Sequence, residues 1–243
     1  GMIGFSTPFD QTSLDFLESL EVSLYKVASF ENTDLTLIRK IAATGKPMII
    51  STGMASIAEL DDTIQAARSA GCNDIVLLKC TSTYPATPEN TNISTIPHLK
   101  KLFDCQVGLS DHTMGIGVAV ASVALGATVI EKHFTLSRAD GGVDSSFSLE
   151  PEEMRALVIE TERAWQSLGQ VSYGTTDKEK VSLQYRRSLY IVEDMKAGDV
   201  LSASNMRAIR PGSGLSTKYY EVFLGKQINQ DVKKGTPVSW GLL

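Results

Sequence analysis

The chain has 243 residues, of which 42% are hydrophobic and 21% are charged, and its formal net charge is −5. This length suits one large domain or a large domain with a small one, and the composition is that of a globular protein with a sizeable core. A negative charge without any basic cluster argues against nucleic acid or an anionic membrane as the partner.

Two further features concern the compartment. The sequence has no apolar run as long as a membrane span. Its three cysteines are odd in number and lack the spacing of a zinc site, which fits a reducing environment. We therefore expect a cytoplasmic protein.

From residue 2 to about 170, short apolar segments alternate with helical patterns. The predicted strands are MIGFS, LYKVAS, PMIIST, DIVLLKC, CQVGLS and TVIEKHF. Apolar strands separated by helices predict parallel βαβ units in an α/β fold. We count six units, whereas a closed (β/α)8 barrel usually takes about 250 residues.

Polar side chains gather where these predicted strands end. They are Ser6, Thr7, Lys26, Ser29, Ser51, Thr52, Lys79, Thr81, Ser110, Asp111, His112, Lys132 and His133. Parallel barrels build their active sites at the C-terminal ends of several strands. The pattern therefore predicts a functional site at this end of the sheet.

The pattern of apolar segments and turns changes near residue 180. Short strand patterns and turns such as KAGD and PG follow, which predicts a small β-rich domain. We predict a partial-barrel α/β domain over residues 1–175, a linker over 176–185 and the β-rich domain over 186–243.

His112 and His133, two of only three histidines, end successive predicted strands. Neutral imidazole binds divalent metals, and two rings on adjacent strands can converge on one ion. The alternative is two core histidines that hydrogen-bond to neighbours. Two ligands are too few for a structural zinc site, so we expect Mn²⁺ or Mg²⁺, completed by water, carboxylate or substrate. His98, in TIPHLKKLF, is expected to be a surface or packing residue.

Hydroxyl side chains with a lysine make a good phosphate-binding site. Candidates are Thr7, Lys26, Ser29, Ser51 and Ser110, although each hydroxyl alone suits a helix cap equally well. Lys132 has two possible ion-pair partners, Glu131 and Asp111. The Gly-rich segment 138–151 is typical of a loop that covers a site, and Asp144 within it is either a base or a turn cap.

Several long motifs resemble the sialic acid synthase family. They are FSTPFD, YKVASFE, STGMAS, KCTSTYPA, GLSDHTMGIGVAVASVALGA and VIEKHFTLSRADGGVDSSFSLEP, and the tail RRSLYIVEDMKAGDV…IRPGSGL resembles that family's antifreeze-like (SAF) domain. The sequence of residues 137–154 is most similar to the pseudaminic acid synthase branch. The resemblance implies a (β/α)8 TIM-barrel-type domain without its first two βα units, followed by a small β-rich, β-clip-like SAF domain.

The resemblance also implies an activity and its residues. The branch condenses phosphoenolpyruvate with a 2,4-diacetamido-2,4,6-trideoxy hexose to give pseudaminic acid and phosphate, using a divalent metal. His112 and His133 resemble the family's metal ligands. Thr7, Lys26, Ser29, Ser51, Ser82 and Ser110 resemble its phosphoenolpyruvate contacts, and Glu31, Tyr84 and Asp144 its sugar contacts. Glu31 and Asp144 are candidates for moving protons. Arg210 resembles an arginine that the SAF domain places in the partner subunit's active site, which implies a domain-exchanged homodimer.

Two alternatives stay open at the level of sequence. The first is an N-acetylneuraminate or legionaminate synthase. The second is a catalytically incompetent synthase fragment that serves as a dimerisation or binding module, because without the first two βα units the sheet keeps an open edge.

Overall fold

Five apolar segments of the first unit form one parallel sheet. They are β1 (Tyr25–Val27), β2 (Met48–Ser51), β3 (Ile75–Cys80), β4 (Gln106–Asp111) and β5 (Val129–Lys132). The computed structural model describes residues 1–243, and the sheet runs in the order β1-β2-β3-β4-β5 with every neighbouring pair parallel. Sequential parallel strands joined by helices are the wall of a (β/α)8 barrel, so the α/β prediction is confirmed.

Six helices accompany the sheet. They are α1 (Gln11–Ser19), α2 (Leu35–Ala42), α3 (Ile57–Ser69), α4 (Thr95–Phe103), α5 (Gly117–Ala124) and α6 (Pro151–Ser167). Their starts follow capping rules, since Asp10 accepts a hydrogen bond from Ser13 N and Ser56 forms a capping box with Glu59. These caps supply partners for backbone N–H groups that the first helical turn leaves free.

The core of the first unit lies between strands and helices. Fully buried side chains come from both, and they include Tyr25, Ile38, Ile41, Met48, Ile50, Ile64 and Leu77. Apolar residues on α2 recur three and four positions apart, which places one face of that helix on the sheet. Burial of this surface is the main stabilising contribution to the unit.

The prediction of a strand at MIGFS was wrong. Only Ser6 pairs there, in a single bridge with Tyr25, and residues 1–6 are exposed. A segment with one neighbour and no packed face gains neither a second ladder nor buried apolar area. The apolar pattern alone therefore did not make a strand.

The second compact unit covers residues 170–243, and the first covers residues 1–169. In the second unit, β6 (Ser188–Ile191) pairs antiparallel with β7 (Met206–Ile209), and a short helix α7 spans Tyr220–Phe223. Its separate core includes Leu189, Ile191, Met206, Phe223 and Val238.

Two similar turns pair within this second unit. Met195 and Val232 exchange backbone hydrogen bonds of 2.9 Å in both directions. On either side, Lys196 pairs with Asp231 at 2.6 Å and Lys233 with Asp194 at 2.8 Å. These ion pairs are exposed to solvent, so they add little to stability.

None of the helices combines the length and the apolar character needed to cross a bilayer.

Candidate functional site

A polar cleft lies where the five parallel strands end. Its volume is about 260 Å³. It is lined by eight of the predicted site residues, Thr7, Lys26, Ser29, Ser51, Tyr84, Ser110, His112 and His133, and by Ala28, Cys80 and Glu131. We call it the strand-end cleft.

A larger cavity, of about 490 Å³, lies beside α5 and α6. Its lining is mostly apolar and includes Val123, Ile130, Met154 and Trp165. It brings together no group of titratable side chains, so its size alone does not make it an active site. The chemistry of the first unit is concentrated in the strand-end cleft.

Lys26 contacts residues of three different strands around the strand-end cleft. The residue is only 7% exposed, and its Nζ donates to Ser51 Oγ at 2.7 Å and to Val27 O at 3.0 Å. Its Nζ also lies 3.5 Å from Glu131 Oε2, and Ser110 Oγ donates to Glu131 Oε1 at 2.6 Å. Glu131 therefore occupies two of the donors that the sequence assigned to a phosphate, Lys26 and Ser110. An entering anion has to displace this carboxylate.

Loops after β1 and β2 are tied together at the cleft. Ser29 Oγ accepts from Gly53 N at 3.1 Å, while Asn32 Nδ2 donates to Ser51 O at 3.1 Å and to Gly53 O at 3.2 Å. A Cβ at Gly53 would lie 2.6 Å from Ser29 Oγ and would also collide with Ser82 Oγ. Glycine is therefore required there, and Ser82 lies next to Ser29 although it does not line the cleft.

The two histidines face each other. Their ring centroids are 5.2 Å apart with an interplanar angle of 70°. His112 is 5% exposed, and its Nδ1 lies 2.9 Å from Thr81 O. Since a carbonyl oxygen only accepts, Nδ1 carries the proton and Nε2 is left as the lone-pair atom. Backbone carbonyls orient metal-binding histidines in the same way.

Burial and hydrogen bonding shift the pKa values of the titratable side chains around the two histidines. Burial raises the pKa of the Cys80 thiol, but hydrogen bonds with His112 and Ser29 outweigh burial and lower the pKa to about 7. Burial lowers the pKa of His112, yet contacts with Cys80 and Thr81 outweigh it, so this pKa lies above the usual histidine value. Burial and the neighbouring His112 lower the pKa of His133. His133 therefore keeps a neutral ring, the metal-binding form, over a wider pH range than His112.

The donor set fits an open divalent-metal site with two protein ligands. No group of three or more His, Cys, Asp or Glu side chains is arranged to hold an ion. Two neutral imidazoles, one oriented through its Nδ1, are nevertheless a suitable pair, with water or substrate completing the shell. The formal charges of Lys26 and Glu131 cancel, so a cation at the histidines would supply the positive charge that a phosphate needs.

The Gly-rich loop 138–150 reaches the histidines. Arg138 holds its base, with Nε donating to Ser148 O at 3.0 Å and ion pairs to Glu150 and Glu153. The loop places Asp144 Oδ2 3.7 Å from His133 Nδ1. It also places the ring of Phe147, which is 3% exposed, with its centroid 5.0 Å from that of His133.

Other predicted residues lie outside the cleft lining. Glu31 is half-buried after β1, and its Oε2 is buried without a hydrogen-bond partner. Arg210 is exposed and follows β7 in the second unit. His98 is exposed on α4. Lys132 pairs with Asp111, at 2.8 Å, and not with Glu131.

Sequence reasoning missed Cys80, Glu131 and Phe147. The first two were detectable, because alternate residues of a strand face the same side and Glu131 stands two positions before His133. The same rule relates Cys80 to Leu78 and Ser82. Phe147 gave no signal, since its position depends on how the loop folds back.

Residues 1–173 match the NeuB family and residues 186–243 match the SAF domain. The chain belongs to the NeuB family. This confirms the resemblance to sialic acid synthases and their SAF domain. Pseudaminic acid synthase of Campylobacter jejuni serotype O:2 is 40% identical over 241 residues, covering 99% of this chain and 70% of that protein. N,N'-diacetyllegionaminic acid synthase of the same organism is 38% identical, covering 94% of this chain and 70% of that protein.

Solved structures agree with this NeuB assignment. Spore coat polysaccharide biosynthesis protein SpsE of Bacillus subtilis superposes with a TM-score of 0.67 at 32% identity, covering 100% of this chain and 74% of that one. The corresponding protein of Chromobacterium violaceum gives a TM-score of 0.70 at 26% identity, covering 98% of this chain and 72% of that one.

Proposed function

We propose that this NeuB-family chain condenses phosphoenolpyruvate with a 2,4-diacetamido-2,4,6-trideoxy hexose to give pseudaminic acid and phosphate. The observation that carries the proposal is the strand-end cleft, in which one lysine, several hydroxyls and two facing histidines meet. Pseudaminic acid synthases of Campylobacter jejuni and Helicobacter pylori, at 38–40% identity, support the choice of substrate.

Lys26, Ser51 and Ser110 would bind the phosphate of phosphoenolpyruvate. All three are buried; Lys26 contacts Ser51, and both Lys26 and Ser110 contact Glu131. Thr7 and Ser29, which line the same cleft, and Ser82, next to Ser29, complete the set of hydroxyls. Once the phosphate has displaced Glu131, these buried donors would hold its charge effectively during the reaction.

His112 and His133 would hold Mn²⁺ or Mg²⁺. When bound, such an ion polarises the aldehyde oxygen of the open-chain sugar. Thr81 O keeps the His112 ring in one orientation, and Tyr84, whose centroid lies 4.2 Å from that of His112, limits the space for the sugar. The contribution of the chain is chiefly positioning.

In the condensation, C3 of phosphoenolpyruvate bonds to the aldehyde carbon, and the aldehyde oxygen takes up a proton. Water adds to C2 and loses one proton. The bond from C2 to the phosphate oxygen then breaks as the new C2 hydroxyl gives its remaining proton to the departing phosphate, which leaves the C2 ketone and phosphate. Glu131 and Asp144 are the carboxylates closest to this chemistry, since one lines the cleft and the other lies beside His133. We assign the proton from water to one of these two, and we propose Glu31, whose Oε2 is buried without a hydrogen-bond partner, as a sugar contact. We also retain Arg210, from the partner of a domain-exchanged homodimer, as an anion contact.

A second candidate is a legionaminate synthase, because relatives with that name are 36–38% identical. The two candidate enzymes would use the same cleft and differ in their hexose substrate. Synthesis assays with the hexose substrates of the pseudaminate, legionaminate and neuraminate reactions, run under identical conditions, separate them.

The deciding experiment measures phosphate release from phosphoenolpyruvate and the diacetamido hexose, with Mn²⁺ and with a chelator. We expect release only with metal, and loss of release in His112→Ala and His133→Ala. A folded protein that releases no phosphate with any hexose would contradict the proposal and favour the binding module. That module would keep its oligomeric state after either substitution.

A further inference from the structure

A buried ion pair is formed by the two residues that precede the histidines in the sequence. Lys132 Nζ is 2.8 Å from Asp111 Oδ2, and the two side chains are 2% and 0% exposed. Asp111 immediately precedes His112 in the chain, and Lys132 immediately precedes His133. Each partner is thus one peptide bond away from one of the facing rings.

The ion pair fixes the backbone on both sides of His112 through hydrogen bonds. Lys132 Nζ also donates to Thr113 O, and Thr113 N donates to Asp111 Oδ1 at 2.9 Å. Thr113 is fully buried. Both peptide neighbours of His112 are therefore tied to the residue that precedes His133.

The Asp111–Lys132 ion pair lies where the pairing of β4 with β5 ends, which makes its hydrogen bonds important for the position of the histidines. Asp111 and Lys132 are the last register partners of β4 and β5, and the histidines come one residue later. Beyond that point no β4–β5 pairing fixes the distance between the two segments that carry the histidines. Neither side chain lines the strand-end cleft, in keeping with the alternation of side chains along a strand.

Stability alone does not account for a buried ion pair. Burial costs each charge its hydration, and apolar residues of similar volume are often equally or more stabilising. We infer that Asp111 and Lys132 are positioning residues that set the separation of His112 and His133. As a statement about metal binding, the inference rests on the proposed function, because a site with only two protein ligands depends on the spacing of its two rings.

The first test needs no metal. With three histidines in the chain, the imidazole signals of His112 and His133 can be followed by NMR with His98 as internal reference. The double variant Asp111→Asn/Lys132→Met removes both charges together, so no unpaired charge is left buried. At constant pH we expect the signals of His112 and His133 to shift or broaden and the signal of His98 to stay in place.

The matched control is Lys196→Met/Asp231→Asn, which removes an ion pair of 2.6 Å in the second unit. It should leave all three histidine signals at their wild-type positions. Unchanged His112 and His133 signals in a folded Asp111→Asn/Lys132→Met protein would overturn the inference. A conservative variant, Lys132→Arg, should restore the signals partly, because it keeps the charge opposite Asp111.

The second test is a titration with Mn²⁺ followed by electron paramagnetic resonance. Loss of supporting contacts around metal ligands typically weakens metal affinity about 10–100-fold, which is the effect expected for the double variant. A structural role alone would lower the melting temperature without changing affinity in the folded protein, and that result would refute the positioning role. Wild-type protein that binds Mn²⁺ but releases no phosphate would contradict the proposed function and leave the positioning role intact.

Discussion

Lys26 is the only lysine or arginine that lines the strand-end cleft. It is held by Ser51 and by the carbonyl of Val27, so its charged end is already in place before an anion arrives. Holding a flexible lysine in advance reduces the entropy that binding would otherwise cost. Glu131 opposes this advantage, because its carboxylate sits on the same donors.

Replacing this lysine should weaken anion binding specifically. A hydrogen bond to a charged group contributes about 1.5–3 kcal/mol, so Lys26→Met should bind phosphoenolpyruvate about 10–100-fold more weakly in calorimetry. Glu131 keeps its bond from Ser110 and is partly exposed, so the variant should remain folded. Lys79→Met is the matched control, since Lys79 is a half-buried lysine on β3 outside the cleft lining. Equal affinities of the two variants would contradict the role given to Lys26.

At the scale of elements, β4 determines how closely β5 approaches. A Cβ at Gly108 would lie 2.6 Å from Leu78 Cδ2 and would collide with the carbonyl oxygen of Val129. Because a backbone oxygen in a ladder cannot move away cheaply, glycine is the residue that allows this contact. The register that depends on it carries Ser110, His112, Glu131 and His133 to the cleft.

Gly108→Ala should therefore destabilise the first unit and disturb the site. Overpacking of this kind typically costs about 1–3 kcal/mol, which chemical denaturation can measure. Gly117→Ala is the matched control, because Gly117 lies in α5 with no atom within 4 Å of an added Cβ. That variant should be neutral or more stable by about 0.4–1 kcal/mol. Similar unfolding midpoints for the two variants would show that the close contact at Gly108 is unimportant.

Much of the first unit was predictable because hydrophobic patterning and capping act locally. Asp34 and Ser56 are short polar residues that cap α2 and α3, and apolar runs located β1 to β5. The strand expected at MIGFS failed because pairing needs a neighbour that the sequence pattern does not reveal. Contacts between distant segments, such as Phe147 with His133 and Lys132 with Asp111, depend on tertiary packing and could not be ranked from sequence.

At the scale of the whole molecule, the two units have separate cores, and the chain that joins them is open to solvent. Residues 165–187 are exposed throughout, whereas Ser188 begins the buried strand β6. Few buried contacts in a segment mean a low free energy of local opening, which proteases detect. The exposed lysines within it, Lys178 and Lys180, are suitable sites for trypsin.

Limited trypsin digestion should therefore cut first within this exposed segment, after Lys178, Lys180, Arg186 or Arg187. Each fragment retains a core of its own, one around β1 to β5 and the other around Leu189, Met206 and Phe223. We expect two fragments that resist further digestion, identified by mass spectrometry over a time course. Early cuts within residues 20–160 or 190–243 would contradict this expectation. They would show that one of the two cores opens as readily as the exposed segment and that burial within the units does not protect them.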